Sequence, residues 1–217
     1  MKLTKRINLT ATIVAVLIST AVPVYAQNDH HETQVASASV KAAKTGAALR
    51  DLWLGHVFWV RNVVVATLSG NKTAATAAEN EVVANAKQIA AAIEPFYGKA
   101  ASDKLFGLLA GHYGAVKQHL EATIAGSQKK EDAAMKNLAG NVEEISIFLS
   151  DANPNLPRDA VRGLLLAHVG HHKQQMQQLR DKQYQQEAQT WEAMKGHMYV
   201  IADTLTGALV AQFPEKF

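Results

Sequence analysis

The sequence predicts an all-α fold, three tandem αα-hairpins packed as an antiparallel helical bundle, and three observations carry that expectation. The chain repeats itself: Leu52 to Val57 reads L-W-L-G-H-V, Leu108 to Tyr113 L-L-A-G-H-Y and Leu164 to Val169 L-L-L-A-H-V, a period of 56 residues with no gap. A period of this length marks a supersecondary unit that must bury its apolar face against its neighbours. The second half of each unit also aligns, as N-A-K-Q-I from Asn85, N-V-E-E-I from Asn141 and H-M-Y-V-I from His197. Finally, from about Lys41 onward apolar residues recur at three- and four-residue spacing in every segment, which is the period of an amphipathic helix.

The first residues read as a targeting segment. Lys2, Lys5 and Arg6 precede an apolar run from Leu9 to Val22, and Val24-Tyr25-Ala26 offers small residues for cleavage. Residues 1–26 are therefore expected to be a signal peptide, and the protein to be exported, periplasmic or secreted. Residues 27–40 lack apolar periodicity and are expected to form a flexible leader, followed by one helical-bundle domain over 41–217. Cleavage after Ala26 puts His30 fourth in the mature chain, one place beyond the position from which an amino-terminal histidine chelates copper or nickel.

In the first repeat, about 45–100, Leu49, Leu52, Trp53, His56, Val60 and Val63 form a stripe that ends at Ser69-Gly70-Asn71. A partner helix carries Val82, Asn85, Ala86, Ile89 and Ile93, and Glu94-Pro95 closes the unit. The second repeat, about 101–156, uses Leu105, Leu108, Leu109, His112, Val116 and Leu120, breaks near Gly126, and resumes with Leu138, Asn141, Val142, Ile145 and Leu149 before Asn153-Pro154. The third, about 157–212, uses Val161, Leu164, Leu165, His168, His172 and Met176, then Met194, His197, Met198, Ile201 and Leu205. Its link near Asp181 to Gln186 has neither Gly nor Pro and is the least defined boundary. Six helices of roughly 30 to 40 Å with short links favour a bundle over a solenoid of stacked hairpins.

Composition narrows the function. The chain has no cysteine, so an exported fold is held by packing rather than disulfides. The net charge of +3 is matched by the three basic residues of the targeting segment, leaving a nearly neutral mature chain and no nucleic-acid partner. No transmembrane span is expected after cleavage. There is no nucleophile constellation, no Gly-rich phosphate loop and no strand pattern for a dinucleotide fold, and no catalytic residue is assigned.

What remains is polar residues on core stripes. His56 precedes its turn by about 14 residues and Asn85 follows it by about 14, so an antiparallel hairpin brings them level; His112 with Asn141, and His168 with His197, obey the same spacing. Four histidines and two asparagines then share one layer at mid-height. Buried, they must meet one another, water or a metal, because an unsatisfied polar group costs about 1–3 kcal/mol. The candidate metal ligands are His56, His112, His168 and His197, with His172 one turn beyond His168 and with Glu143 and Glu144 as carboxylates flanking the layer. Imidazoles without thiolate suit zinc or copper, and Met176 and Met198 lean towards copper. A ferritin-like di-iron site is disfavoured because Asn85-x-x-Gln88 and Asn141-x-x-Glu144 stand where Glu-x-x-His would. The competing reading is a structural or protein-interaction module of the cell envelope in which the layer only fixes helix register. His119 and His171 are expected to face solvent, Trp53, Trp59 and Trp191 to be core, and the repeat column Arg61, Lys117, Lys173 to snorkel to the surface.

Three further motifs, L-W-x-x-H-V-x-W at Leu52 to Trp59, F-L-S-x-A-N-P at Phe148 to Pro154 and Q-F-P-x-K-F at Gln212 to Phe217, give the chain its family resemblance. It resembles a little-characterised family of bacterial all-helical proteins over nearly the whole mature chain. Members are sometimes labelled glycosyltransferases, a label that no α/β pattern here supports. The resemblance implies fold more than activity. It also implies a glutamate at or beside the position of His172, from which this chain departs.

Overall fold

The computed structural model describes the backbone of residues 28–217 and the side chains from residue 39 onward. The signal peptide expected over 1–26 and the reading of His30 fall outside the described residues and side chains.

Six helices follow in order: α1 Asn28–Leu68, α2 Lys72–Tyr97, α3 Lys99–Ile124, α4 Gln128–Ala152, α5 Arg158–Arg180 and α6 Tyr184–Gln212, with a 3₁₀ turn over Pro214–Lys216. α1 begins at Asn28 rather than near Lys41, so the segment expected to be a leader carries helical backbone. The physical reason is that no Gly or Pro interrupts 27–40, and extending an existing helix costs far less than nucleating one.

All three hairpin turns share one geometry. The amide of Asn71 donates to Ala66 O and that of Gly70 to Thr67 O, both at 3.0 Å. Ser127 to Ala122 and Gly126 to Thr123 repeat the pair at 3.0 and 3.2 Å, and Gln183 to Gln178 and Lys182 to Leu179 repeat it at 2.8 and 3.2 Å. These are Schellman turns, whose central residue takes a left-handed conformation. Gly70 has φ 72° and Gly126 φ 61°, and in the third copy Lys182 takes φ 58°. Asn71 then caps α2, its side chain accepting from the Ala74 amide at 3.0 Å.

The helices close into a ring in which each packs on the next and α6 returns to α1; α5 also meets α1 and α3 across the centre. Thus α1, α3 and α5 lie innermost, and α2, α4 and α6 each wedge between two of them. This sets where the site can be: a column that faces inward on α1, α3 and α5 is brought towards one axis. Val57, Val142, Met194 and Met198 are fully buried in the apolar layers around it. Ion pairs join neighbouring hairpins, Arg61 binding Glu187 through two bonds of 2.7 Å and Lys117 binding Glu79 at 2.6 Å. Two members of the expected snorkelling column therefore pair across hairpin boundaries rather than ending in open solvent.

Candidate metal centre

His56 on α1, His112 on α3 and His168 on α5 occupy one repeat column, and the ring arrangement turns that column onto the axis. All three are buried, as is His172 one turn beyond His168. Ring centroids are 5.7 Å apart for His56 and His168, 6.5 Å for His56 and His112, 5.8 Å for His112 and His168, and 4.5 Å for His168 and His172. Donor nitrogens of His56, His168 and His172 all lie within 4.8 Å of one another. His112 stacks beside this triad without entering that set.

His172 stands where the other copies have Val60 and Val116, which are also buried. The third unit thus adds an imidazole at a position that elsewhere fills with hydrocarbon. It also gives α5 two histidines four residues apart, on one helix face.

The level partners in the second half of each unit do something else. Asn85 Nδ2 donates to Leu52 O at 2.9 Å, Asn141 Nδ2 to Leu108 O at 3.0 Å and His197 Nε2 to Leu164 O at 2.8 Å. Each reaches the carbonyl four residues before the histidine of its own hairpin. This column ties outer helix to inner helix, and His197 takes the place of an asparagine rather than joining the cluster; its ring instead lies 5.5 Å from that of His171. The close approach has a sequence trace. A Cβ added to Gly55 would stand 3.0 Å from Asn85 Nδ2, and the residue before each histidine is Gly, Gly or Ala.

Asn141 also sets the proton on His112. Its Nδ2 faces a carbonyl, so its oxygen is the atom 2.9 Å from His112 Nδ1. An amide oxygen only accepts, hence Nδ1 carries the proton and Nε2 keeps a lone pair. That Nε2 has no hydrogen-bond partner, and neither do His56 Nδ1, both nitrogens of His168, nor His172 Nε2. Five ring nitrogens of four adjacent buried histidines are therefore without a hydrogen-bond partner among the described residues.

Burial holds His56 down to about 3, with His112 adding to the shift. Burial likewise pushes His168 and His172 well below the usual imidazole range, each lowered further by its histidine neighbours. His112 is lowered by burial against the opposing bond to Asn141. The cluster is neutral at pH 7, and neutral imidazole is the form that binds metal.

Glu143 and Glu144 do not reach the histidines. Glu143 pairs with Arg158 and, at 3.0 Å, with Arg162, and Glu144 is exposed. At 100° per residue, Asn141 faces α3, so Glu143 emerges on the opposite flank towards α5 and Glu144 turns outward. Met176 and Met198 are core residues, packed in separate apolar clusters. Trp53 is buried edge-on to His56, with centroids 6.2 Å apart.

His119, expected to face solvent, is 1% exposed. It shares a repeat column with Val63 and Gln175, both buried, and that column was the available signal. No family model, characterised protein or solved structure matches the chain.

Proposed function

We propose that this is an exported helical-bundle protein that binds one transition-metal ion, zinc or copper, through His56, His168 and His172, with His112 as the adjacent fourth imidazole. The observation that carries this reading is the set of five partnerless ring nitrogens. Unpaired, each costs about 1–3 kcal/mol, and a metal ion is a partner that engages several at once. Ligands at 2.0–2.1 Å around a tetrahedral ion lie roughly 3.4 Å apart. The triad, within 4.8 Å, thus closes by about 1.4 Å or less on loading. His112 Nε2 or a water completes the shell. With Glu143 paired to arginines of α5 and Glu144 turned outward, the geometry supports binding rather than a particular reaction.

The competing reading, an envelope interaction module whose polar layer only fixes register, is favoured by the Asn85, Asn141 and His197 bonds to backbone carbonyls. It accounts for that outer column and leaves the histidine column unexplained. X-ray absorption of protein titrated with zinc separates the two. The metal reading expects a shell of nitrogen and oxygen with three or four imidazoles. A shell of water oxygens alone, with a melting temperature indifferent to chelator, belongs to the register reading.

A further inference from the structure

The histidine layer is also one wall of a cavity. A void of about 70 Å³ runs along the bundle axis on the side of the inter-hairpin links, lined by residues from all six helices. On α3 the lining runs from Leu105 to His112, seven residues or about 10 Å at 1.5 Å per residue. The void is therefore narrow and elongated. Its walls are aliphatic and aromatic, including Leu109, Leu165 and Leu205, and among the described residues no lysine, arginine, aspartate or glutamate lines it.

Apart from Trp53, whose Nε1–H beside His56 is buried without a partner among the described residues, the lining side chains with polar atoms fall into two groups. At the far end they are already engaged. Asn153 Nδ2 donates to Tyr97 O–H at 2.9 Å and to Ala208 O at 3.0 Å, Asn153 Oδ1 accepts from the Asn155 amide at 2.8 Å, and Tyr97 donates to Gln212 Oε1 at 2.7 Å. Thr204 is spent on Val200 O at 2.8 Å. At the near end the histidines present nitrogens with no partner: His56 Nδ1, His112 Nε2 and both of His168.

We infer that this cavity is a binding site for a small, slender, uncharged molecule with an apolar body and one terminal hydroxyl-like group, which lies along the axis with that group against the histidines. Size follows from volume: an apolar cavity of about 150 Å³ takes benzene, so one of half that size takes three or four heavy atoms. Neutrality follows from the lining, since a buried charge with no counter-charge is strongly disfavoured. Polarity at one end only follows from where the unpartnered polar atoms lie, the ring nitrogens of the histidines and Trp53 Nε1 beside His56. In the metal-free protein the ligand's O–H donates to a bare imidazole nitrogen; with metal bound, its oxygen takes the remaining coordination position. This second mode rests on the proposed metal centre, and the first does not.

The test uses the full chain with 1-propanol, propionate and xenon as probes, read by NMR of the leucine methyl groups and by xenon density in crystals. In metal-free protein, 1-propanol is expected to give saturable shifts at Leu109 and Leu165 while propionate gives none. Xenon is expected between those two residues. Leu165→Phe, which fills the void, is expected to weaken 1-propanol about tenfold or more. If that variant does not fold, xenon occupancy in the unaltered protein decides the matter. After zinc loading, propionate is expected to bind as well, its charge then balanced by the ion. If zinc does not bind but propanol and xenon do, the metal reading fails and the cavity site stands. If zinc binds while neither propanol nor xenon enters, the cavity inference is overturned. Equal binding of propionate to metal-free protein, or propanol binding unchanged in a folded Leu165→Phe variant, overturns it too.

Discussion

At the scale of single residues, the bundle keeps imidazoles neutral inside hydrocarbon. The pH consequence has a definite sign. His56 in the unfolded chain takes up a proton near its ordinary 6.5, whereas in the fold it resists until about 3. The unfolded state therefore binds more protons between those values, and stability falls as pH drops below 6.5, by about 1.4 kcal/mol per pH unit for each such histidine. Above 6.5 the group has no effect. From pH 7 to 5, His56 alone is expected to remove about 2 kcal/mol, and His168 and His172 act in the same direction. Denaturant melts across that range check this, with His56→Gln giving a shallower slope; a flat profile from 7 to 5 contradicts it. Asn141 offers a second check. Asn141→Leu leaves His112 Nδ1 without its partner, removes the side-chain bond to Leu108 O and is expected to cost about 1–3 kcal/mol. It also frees the His112 tautomer, visible in the nitrogen shifts of the ring. The histidine column was legible in the sequence because it is polar and sits on an apolar stripe. That Asn85, Asn141 and His197 face backbone rather than the cluster was not, because level position fixes height along a hairpin and says nothing about azimuth. That Glu143 pairs with Arg158 and Arg162 and Glu144 is exposed was not legible for the same reason.

At the scale of elements, the three hairpins repeat down to the hydrogen bonds of their turns, and the third does so without glycine. Lys182 holds the left-handed conformation that Gly70 and Gly126 adopt, at a steric cost of about 1–2 kcal/mol. Lys182→Gly is therefore expected to raise stability by up to about 1 kcal/mol, since part of the gain is offset by the entropy of a freer unfolded chain. Urea denaturation measures it, and a loss of stability would show that Lys182 makes contacts that outweigh the strain. This also explains why the link near Asp181 was the least defined boundary. Turn chemistry is read from Gly and Pro, whereas here the geometry persists through bonds such as that from Gln183 to Gln178 O. The helical backbone from Asn28 was not legible for a complementary reason, because apolar periodicity reports a helix only where one of its faces is apolar.

At the scale of the whole molecule, the ring closes where the third hairpin meets the first, and Arg61 and Glu187 are paired across that seam. Glu187 is almost wholly buried and Arg61 about one third exposed. Arg61→Ala strands the carboxylate with Gln175 as its remaining partner. Breaking a buried pair costs about 3–5 kcal/mol, and the exposure of Arg61 places the expected loss at or below the lower end. Thermal unfolding would show it, and Glu187→Gln in the same background should recover part of the loss by removing the stranded charge. The repeat foretold three like units; closure into a ring, which alone brings His56, His112 and His168 together, depends on contacts between hairpins that no spacing within one hairpin encodes. That convergence is what would let one ion engage several imidazoles, and metal content tests it. Tag-free protein equilibrated with zinc or copper and then gel-filtered is expected to retain about one ion per chain. The His56→Gln, His168→Gln, His172→Gln variant, confirmed helical by circular dichroism, is expected to retain none. No retained metal in the unaltered protein, or equal retention in the variant, would contradict the account.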